Sequence, residues 1–291
     1  CTFVLKNGTE KDKGLYIRLS DFKGGMDVQR DKVQEALKSE QTEYFYESCQ
    51  MNFSKIPDSP IAYWASEKLI EGYFSGNLLK DTFPPRAGLT TGNNNIFMRL
   101  WHEVIYEKIG FGYNDVSETE NSNHKWYPCN SGGTFRKWST NDEYVVDWAN
   151  NGAKIKNFKN DKGKLRSRPQ NTQFYFKEGL TWNKISSVNF GAKFKKTGTV
   201  FDDTSRSGFA NNNQKSELIL GFLNSKVALS YLKVLNPTLS FTNGDLERLP
   251  ILFNKQSTSK IDELVTNNIS LSKSDWDMHE TSWDFSKHPL I

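Results

Sequence analysis

Short β-rich runs recur from residue 125 to residue 205, separated by Asn-Gly, Gly-Gly and Lys-Gly turn signals, and this rhythm constrains the fold more than any other feature of the chain. Tyr144-Val-Val-Asp-Trp148, Thr181-Trp-Asn-Lys-Ile185 and Thr199-Val-Phe201 are such runs. Strands this short with turns this frequent predict an antiparallel, loop-rich β subdomain. Helical signals flank it on both sides, so the fold class predicted for the whole chain is α+β.

On the N-terminal side, residues 2 to 5 (Thr-Phe-Val-Leu) and 15 to 19 (Leu-Tyr-Ile-Arg-Leu) read as a hairpin about Asn7-Gly8. Two strands are marginal alone, which makes them the end of a larger sheet. A charged stretch from Asp27 to Gln41 carries Val33 and Leu37 four apart and predicts a covering helix. Ser59-Pro60 offers an N-cap followed by proline at the first helical position, and Ile61, Trp64, Leu69, Ile70 and Tyr73 continue an apolar face to Gly76. Gly88-Leu-Thr-Thr-Gly-Asn-Asn-Asn95 predicts a tight polar loop. Residues 97 to 105 fit a helix by Phe97, Leu100, Trp101, Val104 and Ile105, and a strand by the alternation Phe97, Arg99, Trp101, Glu103. On the C-terminal side, 218–222 and 227–235 read as helices stopped by Asn236-Pro237. Leu249 to Phe253 reads as a last extended segment, and Ser272 to Pro289 as a polar connector. The absence of an initiator Met and the end at His288-Pro-Leu-Ile291 point to a piece of a longer polypeptide.

Charge narrows the partners. From Lys125 to Lys196, 15 Lys and Arg face 5 Asp and Glu, a local +10 inside a chain whose net charge is +4, so the remainder sums to −6. The cations stand beside flat rings and amides in Lys125-Trp-Tyr127, Phe135-Arg-Lys-Trp138 and Lys164-Leu-Arg-Ser-Arg-Pro-Gln-Asn171. Arginine bridges phosphates or guanine, and Asn and Gln pair with adenine, so the pattern points to nucleic acid. The competing reading is a scaffold whose basic face docks an acidic protein or a DNA mimic. No apolar run approaches the roughly 20 residues that cross a bilayer, and the start of the chain lacks the features of a signal peptide. A cytoplasmic, membrane-free protein is expected. Cys1, Cys49 and Cys129 are odd in number and far apart, which argues against a disulfide framework or a zinc site.

Catalytic motifs are sparse. No Asn/Asp-Pro-Pro-Tyr string, glycine-rich cofactor loop or P-loop occurs; Asn236-Pro-Thr238 and Pro84-Pro-Arg86 read as a helix stop and a turn. Asp202-Asp203 reads as an exposed turn partnered by Arg206 in preference to a metal site. His102, His124, His279 and His288 are scattered.

Four strings in order, Lys55-Ile-Pro-Asp-Ser-Pro-Ile-Ala-Tyr-Trp64, Gly88-Leu-Thr-Thr-Gly-Asn-Asn-Asn-Ile-Phe97, Gly132-Gly-Thr-Phe-Arg-Lys-Trp138 and Ser167-Arg-Pro-Gln-Asn-Thr-Gln-Phe174, resemble PglX-type adenine-specific DNA methyltransferases of BREX phage-defence systems. Leu223-Asn-Ser-Lys226 and Gly244-Asp-Leu-Glu-Arg-Leu-Pro250 are similar to the close of target-recognition domains. The resemblance implies that residues 1–53 are the tail of a catalytic methyltransferase sheet, 54–254 a TaqI-like DNA target-recognition domain and 255–291 a connector. It implies double-stranded DNA, the missing catalytic half and other BREX proteins as partners. S-adenosylmethionine would be bound by the parent enzyme and no cofactor by this part. Thr90, Thr91, Asn93 and Asn94 in the polar loop, with Arg136, Lys137, Arg166 and Arg168, are then the candidate DNA-facing residues. Arg99, Lys164, Asn171 and Lys184 complete that set, while Trp126 and Trp138 read as core.

Overall fold

The computed structural model describes residues 3–5, 7–8, 13–140, 142–211, 216–252, 258–288 and 290–291. Two compact units emerge, Cys1–Gly76 and Asn77–Ile291. The first contains β1 (Lys13–Ile17), α1 (Met26–Lys38), β2 (Phe45–Cys49) and α2 (Glu67–Ser75). The second opens with β3 (Asn77–Leu78), α3 (Leu79–Thr82), β4 (Pro85–Arg86), β5 (Leu89–Thr90), α4 (Asn94–Phe97) and β6 (Met98–Leu100). Next come β7 (Trp126–Asn130), β8 (Trp138–Ser139), β9 (Tyr144–Asp147), α5 (Ala149–Lys156), β10 (Arg168–Pro169), β11 (Gly179–Asn183), β12 (Ala192–Lys195), β13 (Val200–Phe201) and β14 (Ser205–Gly208). It closes with α6 (Ser216–Leu223), α7 (Lys226–Leu235), α8 (Asn243–Glu247), β15 (Pro250–Ile251) and α9 (Thr258–Asp277).

In the first unit β1 pairs antiparallel with β2, Tyr16 opposite Tyr46. Tyr63 stacks on Tyr16 with 4.5 Å between centroids, and the Arg18 guanidinium lies 4.2 Å from the Trp64 ring. Phe53, which meets Tyr16 edge-on, is buried, as are Ile56, Ala62 and Ile70.

The second unit is built on two small sheets. One runs β4-β14-β11-β12-β8, antiparallel except for the β12–β8 pair; the other runs β13-β7-β9-β6, antiparallel except for β13–β7. Strands of the second sheet, with the segments that flank them, bury one aromatic cluster that includes Tyr127, Trp148, Tyr175, Phe176, Phe201 and Phe209. Trp148 and Trp182 are completely buried, and truncating a core aromatic of this size costs roughly 3–5 kcal/mol. α6 packs on β11 and β12, and α9 packs on α6 and β8. The predicted α+β class, with a β-rich unit flanked by helices, is the fold found. Among the described residues no single helix is long and apolar enough to cross a membrane. The bent pair α6–α7 is apolar because Leu218, Ile219, Leu220, Leu223, Ala228, Tyr231, Leu232 and Val234 are buried in the protein.

Local details depart from the sequence reading where turn chemistry won. Residues 3–5 form no strand and Phe3, Val4 and Leu5 are largely exposed, Thr2 lying outside the described residues; β1 pairs instead with β2, whose Phe45 and Tyr46 supply the partners. The helix expected from Ser59 begins only at Glu67. Asp58 and Ser59 sit at φ 64° and 48°, a left-handed turn incompatible with the extended backbone of an N-cap, and the cap is Ser66, whose hydroxyl accepts from the Leu69 N–H. Residues 97–103 satisfy both periods in sequence, α4 ending at Phe97, β6 spanning Met98–Leu100 and a 3-10 turn covering Trp101–Glu103. Of the stretch read as a polar connector, Ser272 to Asp277 forms the last part of α9, which is docked through Val265, and Ser282 beyond it is buried. Phe253 and Pro289 lie outside the described residues, as does Cys1; Cys49 and Cys129 are free thiols.

Candidate nucleic-acid interface

The polar loop and the basic string, some 75 residues apart in sequence, meet as a two-stranded ribbon. β10 pairs antiparallel with β5, placing Arg168 opposite Thr90 and Pro169 opposite Leu89. Buried Leu89 anchors the ribbon, its carbonyl accepting from the Asp203 N–H at 3.0 Å. Beyond β5 the chain turns at Gly92, φ 80°, and approaches the Arg166 backbone so closely that a Cβ there would lie 2.8 Å from its carbonyl carbon. Asn171, also left-handed, latches the far end by donating from Nδ2 to the Ala87 carbonyl at 2.9 Å.

Within the loop, Thr91 is buried; its hydroxyl accepts from the Asn93 N–H and is hydrogen-bonded to Asn94 Oδ1, so it shapes the loop from inside. Thr90 and Asn93 are partly exposed and Asn94 is exposed. Arg99 folds onto its own loop, donating from Nη1 to the carbonyls of Asn95 and Met98. A polar hollow of about 500 Å³ opens beside the loop, lined by Asn94, Asn95, Arg99, Glu103, Ser131 and Tyr144 among others.

Leading into β10 is a hairpin that follows α5. The entry is unusual: Asn150, Asn151 and Gly152 all adopt left-handed backbone angles, which asparagine and glycine tolerate better than other residues. Phe158 packs edge-on against Phe97 at 5.1 Å and roots the hairpin in the core. Its strands are joined by Arg166 N–H to Phe158 carbonyl (2.9 Å), Asn160 N–H to Lys164 carbonyl (2.9 Å) and the Lys159–Leu165 bridge. At the tip Asn160 Oδ1 accepts from the N–H groups of both Lys162 (3.0 Å) and Lys164 (2.9 Å). Lys159, Lys162, Lys164, Arg166 and Arg168 are exposed. Among the described residues none of the five has a carboxylate within ion-pair distance; the Arg166 guanidinium lies 5.8 Å from the Phe158 ring. Lys159 and Lys162 were not singled out in the sequence, although the Lys-Gly turn at 162–163 marked their place.

The other cations of the basic middle are engaged. Arg136 donates to the Ser272 carbonyl (2.6 Å) and to Asp275 (2.8 Å) and lies 5.4 Å from the Trp276 ring, all on α9. Lys137 donates to the Asn224 carbonyl at 3.0 Å, and burial lowers its pKa. Lys184 pairs with Asp203 at 3.3 Å, Lys177 with Asp115 at 3.2 Å and Lys196 with Asp142 at 2.8 Å. Lys193 and Lys195 are buried among strands; desolvation brings their pKa values down to about 8 and about 7. Lys195 donates to the carbonyls of Lys177 and Thr199. Lys125 and Lys154, both exposed, share Asp147, so the local +10 resolves into one exposed arc without carboxylate partners and a set of cations that are paired or buried.

Asp202 closes a turn. Its Oδ1 accepts from Thr204 N–H, Thr204 Oγ1 and Ser205 N–H at 2.7–2.9 Å, and Oδ2 from Ser131 Oγ at 2.6 Å. Asp203 pairs with Arg206 at 3.1 Å, the partner read from the sequence. No group of three or more His, Cys, Asp or Glu suited to a metal occurs among the described residues. Trp126 is buried in a second core cluster, and Trp138 is half-buried beside α6 and α9.

No family model matches the chain. Curated relatives do. Over 283 residues it is 41% identical to the "Adenine-specific methyltransferase PglX" of Lacticaseibacillus casei (strain Zhang), covering 96% of this chain and 23% of that protein. The chain belongs to the PglX-type family. It is also 34% identical over 249 residues to the "Adenine-specific methyltransferase BrxX" of Escherichia coli O9:H4 (strain HS), covering 85% of this chain and 19% of that protein. It thus spans about a fifth to a quarter of the length of the relatives it matches. Of the four strings that carry the PglX-type resemblance, those beginning at Gly88 and Ser167 are the two joined by the β5–β10 ribbon.

Proposed function

We propose that this chain is the double-stranded DNA target-recognition part of an N6-adenine methyltransferase acting in phage defence. The observation that carries the reading is the β5–β10 ribbon. It sets exposed arginines beside an amide-rich loop, next to lysines that have no carboxylate partner. Arginine and asparagine offer the bidentate donor geometry that reads guanine and adenine edges in the major groove, and unpaired cations release counterions when they meet phosphate. On this reading Thr90, Asn93, Asn94, Lys164, Arg166 and Arg168 face DNA. Thr91, Arg99 and Asn171 hold the loop in shape, and Arg136, Lys137 and Lys184 brace the β unit. Residues 1–53 would extend the catalytic sheet of the parent.

S-adenosylmethionine would be held elsewhere in the parent. Methyl transfer is accordingly assigned to the rest of the parent, and other BREX proteins are its expected partners.

Fluorescence anisotropy of this chain with a mixed-sequence duplex at two salt concentrations tests the reading. Binding should weaken steeply with salt, and Arg166→Ala/Arg168→Ala should remove about two phosphate equivalents from the salt slope, or about 1–3 kcal/mol for each arginine that reads a base. Absence of binding at low salt would refute an autonomous recognition module.

A further inference from the structure

Resting on that reading, we propose that the lysine tip of the hairpin, Lys159 to Lys164, is a dedicated phosphate grip, separate in task from the β5–β10 ribbon and the arginines beside it: it sets affinity for any duplex and contributes nothing to the choice of sequence. The argument starts from what the tip displays. Asn160, its one amide side chain, has its Oδ1 occupied by the N–H groups of Lys162 and Lys164, and the Asn160 and Gly163 N–H groups bond to backbone carbonyls across the turn. The groups left exposed are three ammonium ions on flexible stems, at Lys159, Lys162 and Lys164, against the single carboxylate of Asp161. A lysine is a point charge without the planar fork that discriminates base edges, so such a surface suits phosphate oxygens of any sequence.

The tip is also rigid in the way a grip requires. Three backbone bonds and two side-chain bonds fix the turn, and Phe158 and Ser167 tie its base to the core, the Ser167 hydroxyl donating to the Ile155 carbonyl. From Lys159 to Arg168 there are five cations and one acid, Asp161. Fully extended, the six steps from Lys162 to Arg168 reach at most about 20 Å, the rise of roughly six base pairs. The lysines therefore fall on backbone flanking the base pairs that the ribbon would contact.

Two variants of the whole chain separate the tasks. Lys159→Gln/Lys162→Gln/Lys164→Gln removes the grip, and Asn93→Ala/Arg168→Ala alters the ribbon. Each is titrated by anisotropy against a mixed-sequence duplex from 50 to 200 mM salt and used to select from a pool of random duplexes. The grip variant should flatten the slope of log K on log salt by roughly 2.7, so that the affinity lost across this fourfold salt range shrinks by about 40-fold, while the selected sequences stay those of the wild type. The ribbon variant should change or erase the selected sequences. Asn160→Ala, which keeps every charge and loosens the turn, should weaken binding to all duplexes alike. An unchanged slope in the folded triple variant overturns the grip while leaving DNA recognition standing, and so does a shift in its selected sequences. Equal binding of polyglutamate and duplex by the wild type would assign the arc to an acidic protein. Failure of the wild type to bind duplex at all defeats the parent reading, which is a different result.

Discussion

Gly92→Ala tests whether the loop and the basic string truly abut, because the glycine carries no functional group of its own. At φ 80° an L-residue is strained by about 1–2 kcal/mol. The new Cβ would stand 2.8 Å from the Arg166 carbonyl carbon and 2.9 Å from its oxygen, backbone atoms that yield only if β10 shifts. Forcing an extra carbon into a packed contact adds roughly 1–3 kcal/mol, for a total of about 2–5 kcal/mol. In a unit of this size each kcal/mol lowers Tm by roughly 2–4 °C, so a fall on the order of 10 °C is expected. Tryptophan fluorescence is the assay, since seven of the eight tryptophans lie after Gly76. Gly163→Ala is the control: at φ 74° it has the same backbone strain, but nothing lies within 4 Å of the added carbon, and the expected loss is about 1–2 kcal/mol. Equal melting temperatures for the two variants would show that no close approach exists at Gly92. The β5–β10 interface would then be wrong.

Lys195 and Lys193 have folded pKa values of about 7 and about 8, below that of the unfolded chain, so above pH 7 the unfolded state binds more protons and stability should rise with pH from 7 to 9, by on the order of 1 kcal/mol per unit. Urea midpoints across that window should climb for the wild type and climb less for Lys195→Met; a flat wild-type profile contradicts charged burial. Arg136→Ala removes the contacts to Ser272, Asp275 and Trp276 and should cost about 1–3 kcal/mol, seen as faster amide exchange in residues 258–277 with the DNA salt slope unchanged. A slope flatter by about one would instead place Arg136 on phosphate. Ser66→Ala should cost about 1 kcal/mol by uncapping α2, whereas Ser59→Ala should be near neutral, and thermal melts that reverse this order would return the helix start to Ser59.

The fold class was legible because short strands and frequent turns leave a periodic trace, and helices such as α1, α6 and α7 show theirs over two turns or more. What escaped is decided by backbone geometry that composition does not encode. The Ser59-Pro60 pair has the chemistry of a helix start, yet the left-handed turn at Asp58 and Ser59 delays it to Ser66. β2 lacks the alternation of a half-buried strand, with Glu47 exposed among residues of intermediate burial, and it was invisible until β1 needed an edge. The meeting of β5 with β10 is a long-range pairing of two residues on each side. No local pattern announces a contact of that kind.

Charge shows the same limit more sharply. Fifteen cations against five acids are countable in sequence, but a count treats Lys195, completely buried and hydrogen-bonded to carbonyls, as equal to Lys162, exposed at a hairpin tip. Burial takes Lys193 and Lys195 out of the external field, and partners on neighbouring loops and α9 occupy Arg136, Lys177, Lys184 and Lys196. Lys125 and Lys154 share Asp147, which leaves the arc between Lys159 and Arg168 as the run of exposed cations in this stretch with no carboxylate within ion-pair distance among the described residues. A basic stretch in sequence becomes a docking surface only where folding leaves its charges both exposed and unpaired, and here that condition selects one hairpin and the ribbon it feeds.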